Sequence, residues 1–362
     1  MAYSPIIKPS TFFDTKLYTG TGNSNAITGL GFQPDWVWLK SRSADKHNNL
    51  YDVVRGATKE IYSNLTNAQS TDAQSLKSFD SNGFTVGTGT DQNDNGVTFA
   101  SWNWKAGTAV SGTTTGSGTG KAYSGSVNTT AGFSIITYLG NGSAGHSIPH
   151  HLGVTPEIII TKRLSDAGEW YVFSTGMGNT KHMRLNQTGA EDTANTIWNN
   201  TSPTSSVFTV GTNGDVNGNN NPIIAYSFNS VQGYSKMGEY IGNGNADGPF
   251  IYTGLKPAFV MIKRTIGGTD NWVIYDNKRS PFNEANENLV ANSSSPTNTG
   301  IKIDMLSNGF KCRVTEGNTN VSGNTYTYMA FAENPFVASN YNVATARYLM
   351  NLTYRQLHNF NL

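Results

Sequence analysis

The chain has 362 residues, of which 36% are hydrophobic, and it contains 39 glycines. Its 25 lysines and arginines balance 24 aspartates and glutamates, and no basic run could follow a nucleic-acid backbone. Abundant glycine, asparagine, threonine and serine favour short strands, and no long apolar stretch occurs. We therefore expect an all-β protein with neither nucleic-acid binding nor membrane insertion.

The chain opens with a segment that does not recur. Residues 1–13 contain Pro5 and Pro9, a pattern that predicts an extended N-terminal arm. The segment lacks a basic region followed by an apolar run, so we expect a protein made without export.

The first unit is predicted at residues 14–107. It contains a Gly-X-Gly turn at 20–22, a proline followed by an apolar run ending in Lys40, a Phe-Thr-Val strand at 84–86 and an aromatic strand at 99–104. Short strands with frequent turns are typical of a two-layer β-sandwich of about 100 residues.

The same features recur in the same order at residues 132–232 and 233–338. The turn reappears at 140–142 and 242–244, and the strand lysine reappears as Lys162 and Lys263. This repetition predicts three consecutive β-sandwich units, jelly-roll or lectin-like, with buried strands at 250–252 and 258–262. Because only residues 230–235 separate the last two units, one merged sandwich is the alternative.

Two further segments lie outside the repeat. A Gly/Ser/Thr-rich tract at 108–131 has almost nothing to bury, which predicts a flexible or extended linker and a first unit positioned independently of the others. Residues 339–362 place apolar side chains near helical spacing after Asn342, a candidate cap. This pattern predicts a short C-terminal helix that packs on the third unit or on a neighbouring subunit.

The loop from Asp91 to Gly96 resembles the first half of a calcium loop, in which alternate oxygen-bearing side chains precede a glycine. Trp102 stands where the second half requires a glutamate, and the loops at 213–218 and 318–323 carry fewer carboxylates. A plain hairpin turn is therefore favoured over calcium, and no metal or cofactor is predicted.

His146, His150 and His151 form a second candidate metal or acid–base group. The other two units have no histidine at this place, and adjacent strand residues point to opposite faces, so a structural role is favoured. Cys312 is the only cysteine, which excludes an intrachain disulfide and predicts a packed or half-exposed thiol.

No catalytic residue is predicted, because neither a nucleophile motif nor a phosphate loop stands in the required context. Glycoside cleavage needs two facing carboxylates, and sequence alone pairs none of the candidates, which are Asp14, Asp52, Glu60, Glu169, Asp276 and Glu333. Most of these are expected at the surface or in turns.

Two tryptophan pairs could either form core or stack on sugars. Trp36 and Trp38 share one strand face, as do Trp102 and Trp104. Their equivalents in the other units are apolar or aromatic, which favours core over a carbohydrate site.

The recurring Tyr-X-Gly-X-Gly turn, followed by proline and an aromatic-aliphatic strand ending in lysine, resembles a repeat of tailed phages of marine bacteria, including cyanophages and pelagiphages. Residues 8–13, 31–43, 52–57 and 271–276 are especially similar. The resemblance covers about residues 1–338 and implies a tail-fibre or other virion appendage protein. Such proteins have no established catalytic residues to carry over.

These features predict a non-enzymatic bacteriophage virion structural protein, a tail-fibre or appendage subunit that contributes to host attachment. A capsid decoration protein and a carbohydrate-binding or carbohydrate-processing protein are the alternatives. The predicted partners are other virion proteins, further copies of the chain, and a host surface glycan or receptor. The predicted location is the virion, assembled in the host cytoplasm.

Overall fold

The computed structural model describes residues 4–332 and residue 334. The all-β prediction is confirmed, because the described chain consists mainly of short antiparallel strands, with helices of four residues at most. Within this part of the chain no helix is long and apolar enough to span a bilayer. The predicted C-terminal helix lies outside the described residues.

The first unit begins with a 3-10 turn at Pro9–Thr11 and pairs a six-stranded sheet with a three-stranded one. The large sheet has the order β1-β9-β3-β4-β5-β6 and the small sheet has the order β2-β8-β7. The elements are β1 Phe13–Thr19, β2 Asn25–Thr28, β3 Trp36–Ser41, β4 Asn49–Asp52, β5 Lys59–Tyr62, β6 Ser70–Thr71, β7 Leu76–Asp80, β8 Gly83–Val86, α1 Thr90–Asn93 and β9 Thr98–Trp104.

The second unit has the same plan, with three additional strands in residues 108–128 and without a counterpart of β7. Its large sheet has the order β10-β12-β13-β20-β15-β16-β17-β18 and its small sheet has the order β11-β14-β19. The elements are β10 Thr108–Thr113, β11 Thr115–Gly116, β12 Ala122–Asn128, β13 Phe133–Leu139, β14 His146–Pro149, β15 Ile158–Arg163, β16 Trp170–Ser174, β17 Lys181–Arg184, β18 Asp192–Thr193, α2 Asn195–Trp198, β19 Val207–Val210, α3 Gly214–Asn217 and β20 Pro222–Phe228.

The third unit repeats the plan without additional strands. Its large sheet has the order β21-β28-β23-β24-β25 and its small sheet has the order β22-β27-β26. The elements are β21 Ser235–Ile241, β22 Phe250–Tyr252, β23 Pro257–Arg264, β24 Val273–Asp276, β25 Leu289–Val290, β26 Ile303–Leu306, β27 Gly309–Cys312 and β28 Thr325–Ala332.

In each unit, the strand at the recurring proline is buried on both faces, and this explains its continuous apolar sequence. In β3, Val37 and Leu39 pack inside the sandwich of the first unit. Trp36 and Trp38 point the other way, into a core to which all three units contribute. Strands covered on both sides lose the polar-apolar alternation that is typical of half-exposed strands.

The three units share that central core, so the prediction of an independently positioned first unit was wrong. Trp36 contacts Tyr226 of the second unit, with ring centroids 4.5 Å apart, and Phe13 stacks on Phe331 of the third unit at 5.2 Å. Units two and three also keep separate sheets, so the alternative of one merged sandwich is not what forms. Each sandwich has its own inner core in addition to the shared one.

The predicted linker at 108–131 was also wrong, because most of it is folded into the second unit. We call residues 107–128 the strap. Its strand β12 pairs along β13 in the large sheet and carries β10 on its other side, while β11 pairs with β14 in the small sheet. The strands of the strap are held by backbone hydrogen bonds, which glycine, serine and threonine form as well as any other residue. The composition of the segment therefore did not exclude strands.

The N-terminal arm is anchored against the third unit from residue 4 onward. Ser4 and Ile6 are buried, and Ile6 belongs to the shared core. The Phe12 ring packs edge-on against Tyr234, with centroids 6.1 Å apart. The arm therefore helps to join the first unit to the third.

Backbone hydrogen bonds close the three units into a ring. The Gln69 amide of the first unit donates to Leu164 O of the second at 2.9 Å. The Glu191 amide of the second unit donates to Thr265 O of the third at 2.8 Å. The Thr297 amide of the third unit donates to Arg42 O of the first at 2.9 Å. The same contact made three times in cyclic order gives the monomer pseudo-threefold symmetry.

The repeated lysines reinforce this ring. Each is fully buried, and its Nζ donates to a carbonyl of another unit: Lys40 to Ser294 O at 2.5 Å, Lys162 to Thr66 O at 3.0 Å, and Lys263 to Thr188 O at 3.1 Å. Burial lowers the pKa of each lysine to about 8, an effect that nearby aspartates partly offset.

Candidate functional site

The loop considered for calcium and its counterparts each carry a buried asparagine that anchors a turn, and the second unit shows the arrangement most fully. Asn217 is fully buried, and its Oδ1 accepts a hydrogen bond from the Asn141 amide at 2.9 Å. Its Nδ2 donates to Gly211 O at 2.6 Å and to Ser143 O at 2.8 Å. A single side chain thus satisfies three backbone groups around the Gly-X-Gly turn.

The other two units repeat this arrangement. Asn93 accepts from the Thr21 amide at 2.9 Å, and Asn320 accepts from the Asn243 amide at 2.8 Å. A helical turn carries the asparagine inward in units one and two, so the prediction of a plain hairpin turn was wrong there. In the first unit, Asp94 forms an ion pair with Lys46 at 3.0 Å.

The three histidines hold the strap and the loops beside it. His146 is fully buried, with Nδ1 2.8 Å from Asn217 Oδ1 and Nε2 2.6 Å from Thr114 Oγ1 in the strap. His151 Nε2 lies 2.8 Å from the hydroxyl of Tyr123, which also belongs to the strap. His150 bonds Thr204 O at 3.1 Å. Burial lowers the pKa of all three, that of His150 to about 4.

Two of the candidate carboxylates form buried ion pairs. Asp52 Oδ2 lies 2.5 Å from Arg55 Nε, and Asp276 Oδ2 lies 2.6 Å from Arg279 Nε. Each also accepts a hydrogen bond from another unit, Asp52 from the Tyr226 hydroxyl at 2.7 Å and Asp276 from Trp102 Nε1 at 3.0 Å. Each carboxylate therefore combines an ion pair within its own unit with one hydrogen bond from another unit.

The remaining carboxylates are dispersed among separate partners. Glu60 is buried and accepts hydrogen bonds from the side chains of Tyr51, Tyr62, Ser70 and Gln92. Asp14 forms an ion pair with Lys16 at 3.1 Å, and Glu169 accepts from Asn186 Nδ2 at 2.7 Å. Glu333 lies outside the described residues.

Other candidate groups are also packed inward. Cys312 is buried, and burial raises the pKa of its thiol to about 12. Trp36, Trp38, Trp102 and Trp104 are buried in the shared core, as predicted. No group of three or more metal-ligating histidine, cysteine or carboxylate side chains comes together in residues 4–332.

Exposed aromatic side chains occur in one unit. Among the described residues they are Phe250, Tyr252 and Phe282, which are 46%, 63% and 83% exposed, and all three belong to the third unit. Buried strands were predicted at 250–252, and this was wrong for two of the three residues. Only Ile251 points into the sandwich, because the small sheet is covered on one face and successive side chains of β22 alternate between its two faces.

Phe250 and Tyr252 lie on the outer face of the small sheet β22-β27-β26. Across the ladders, Tyr252 faces Gly309 and Gly309 faces Leu306, while Phe250 faces Lys311 and Lys311 faces Asp304. We call this set the aromatic face; its members are Phe250, Tyr252, Asp304, Leu306, Gly309 and Lys311. Gly309 itself is buried, and a Cβ there would lie 3.0 Å from Phe250 Cε2, so the Phe250 ring covers the backbone between Tyr252 and Leu306.

Charged groups border the aromatic face on one side. Lys311 Nζ is paired with Asp247, and Arg313 Nη1 lies 3.5 Å from Asp304 Oδ2. Arg313 Nε also lies 3.7 Å from Glu284 Oε1. The row formed by Tyr252, Gly309 and Leu306 thus lies directly beside the charged side chains of Lys311 and Asp304.

A groove of about 320 Å³ adjoins the aromatic face at Tyr252. Its lining is mainly polar or small, and consists of Ser230, Gln232, Gly233, Ser235, Lys236, Tyr252, Thr253 and Gly254. In the second unit, His151 occupies the position of Gly254 and bonds the strap.

The other two units lack this combination of residues. Ile27, Ile148 and Ile251 are equivalent, since they pair with Phe84, Phe208 and Phe310. The residues on either side of them are Ala26 and Thr28 in the first unit and Ser147 and Pro149 in the second. That comparison was available in the sequence and is the signal that could have located the aromatic face.

These observations define an all-β protein with three sandwich units in a closed ring and one distinctive outer face. Residues 8–335 match a family model described as a domain of unknown function, DUF7483, and the chain belongs to that family. No curated protein matches the chain, and no solved structure matches it.

Proposed function

We propose that the protein is a non-enzymatic virion structural protein, a tail-fibre or appendage subunit of a tailed phage that contributes to host attachment. The resemblance of its repeat to phage appendage proteins suggests this class. The observation that carries the proposal further is that, within the described residues, exposed aromatic side chains occur in the third unit alone. A rigid body that displays one such face suits recognition of an external surface.

The ring construction also supports a mechanical role. The shared core and the cyclic hydrogen bonds fix the third unit relative to the other two, so the aromatic face is held in one orientation. The candidate carboxylates and histidines in the described chain are occupied by structural partners, and none of them lines the groove beside Tyr252.

Immunogold labelling of purified virions tests the proposal. Antibodies against the protein should decorate a tail appendage, and the isolated protein should bind host cells and compete with phage adsorption. Label spread over the capsid lattice would replace the proposal with a head-decoration role. Absence of label from intact and disrupted virions would reject a virion protein altogether.

A further inference from the structure

We propose that the aromatic face of the third unit binds a saccharide of the host surface, with the sugar ring stacked on Phe250 and Tyr252. The inference rests on the proposed attachment function and names the ligand class and the residues that contact it. The first observation in its favour is that both rings project from one strand toward solvent, two residues apart and therefore on the same side.

The spacing of the face fits a sugar ring. Same-face neighbours on a strand lie about 7 Å apart, and β22 lies about 10 Å from β26 across the intervening strand. Gly309 has no side chain, and the Phe250 ring lies over it: a Cβ at this position would lie 2.0 Å from Ile251 O and 3.0 Å from Phe250 Cε2. The C–H groups of a pyranose can pack on the exposed, electron-rich faces of these two aromatic rings.

The polar border supplies partners for sugar hydroxyls. Lys311 can donate and Asp304 can accept beside Phe250, while Lys236 of the adjoining groove can donate beside Tyr252. Sugars present a hydroxyl rim around an apolar face, so aromatic rings next to hydrogen-bonding groups match them.

A protein partner fits the face less well. Stable protein interfaces bury about 800 Å² on each side around a core of apolar residues. Here the apolar surface is formed by two exposed rings and a half-buried leucine, and charged or small polar residues surround it. The surface is thus closer in scale to a sugar than to a folded domain.

The test uses a glycan array with the intact protein and a variant whose substitutions the fold already accepts. Phe250→Ala and Tyr252→Thr introduce the residues that the first unit carries at the equivalent positions. The wild type should bind a defined set of glycans, and the double variant should lose about ten-fold or more in affinity. Phe282→Ala, which removes an exposed aromatic outside the face, is the matched control and should bind normally.

Several outcomes would overturn the inference. These are no glycan binding by the wild type, equal binding by the double variant, or loss of binding only in the Phe282→Ala control. If the protein binds host cells and protease treatment of the cells abolishes that binding, the receptor is a protein. In that case the attachment function stands and the saccharide site is rejected. Unchanged unfolding midpoints for both variants would establish that the fold is retained.

Discussion

At the scale of single residues, the three units place two different kinds of residue pair at one equivalent position beside the shared core. The first and third units bury an aspartate and an arginine three positions apart, at Asp52–Arg55 and Asp276–Arg279. The second unit has Ser174 and Met177 at the same positions. Ser174 there contacts Thr327 of the third unit, with Oγ 3.1 Å from Oγ1. The shared core therefore accepts a neutral pair where it also accepts an ion pair.

This exchange predicts strong coupling between Asp52 and Arg55. Arg55→Met alone leaves a buried carboxylate without its cation and should cost about 3–5 kcal/mol of unfolding free energy. Asp52→Ser combined with Arg55→Met recreates the pair of the second unit and should cost less than the arginine change alone. Urea unfolding of both singles and the double variant measures the difference.

The corresponding changes at Asp276 and Arg279 provide a second, independent cycle in the third unit. If the two single substitutions simply add in either unit, then the ion pair is not what couples these side chains.

At the scale of elements, the sequence specifies the repeated strands but not what covers their edges. The strands of the three units could be predicted because their apolar residues either alternate with polar ones or form a continuous run, as in β3 and β23. The strap could not, because its pairing uses backbone groups and only a few side chains, chiefly Tyr123 and Thr114, identify its position. The aromatic face was predictable from the repeat comparison, because Phe250 and Tyr252 replace Ala26 and Thr28, whereas their exposure follows from the small sheet packing on the core with one face only.

The strap should respond to loss of a single hydrogen bond. Tyr123→Phe removes the hydroxyl that lies 2.8 Å from His151 Nε2, while the ring can remain in place. One such bond contributes about 1 kcal/mol, so hydrogen-exchange protection of residues 108–128 should fall about five-fold. Protection in the first and third units should not change.

Tyr252→Phe is the matched control, since it removes a tyrosine hydroxyl from an exposed position. Unchanged protection of β12 in the Tyr123→Phe protein would mean that the backbone ladder alone holds the strap.

At the scale of the whole molecule, the shared core makes the three units one folding unit. Each sandwich is completed on its inner side by the other two, and the ring of contacts at Leu164, Thr265 and Arg42 has no free end. We therefore expect cooperative unfolding of the described chain rather than three separate transitions. Three buried lysines lie at the contacts between the units, so the stability of the ring should depend on pH in the alkaline range.

Stability should rise between about pH 8 and about pH 10. Burial lowers the pKa of Lys40, Lys162 and Lys263 to about 8 from the ordinary value of 10.5. In this window the unfolded chain binds more protons than the folded protein, so raising the pH favours the folded state. Each lysine contributes at most about 1.4 kcal/mol per pH unit, less where carbonyl acceptors favour the charged amine.

Above about pH 10 the trend should reverse. Burial raises the pKa of many tyrosines, that of Tyr326 and Tyr328 to about 12, so these phenols ionise first in the unfolded chain. Urea midpoints measured from pH 7 to pH 11 should therefore pass through a maximum near pH 10. Replacing all three lysines with methionine should remove the rise and keep the fall, whereas Lys77→Met, at an exposed position, should change neither limb. A flat or falling curve from pH 8 to pH 9.5 in the wild type would mean that the three amines stay charged at the joints.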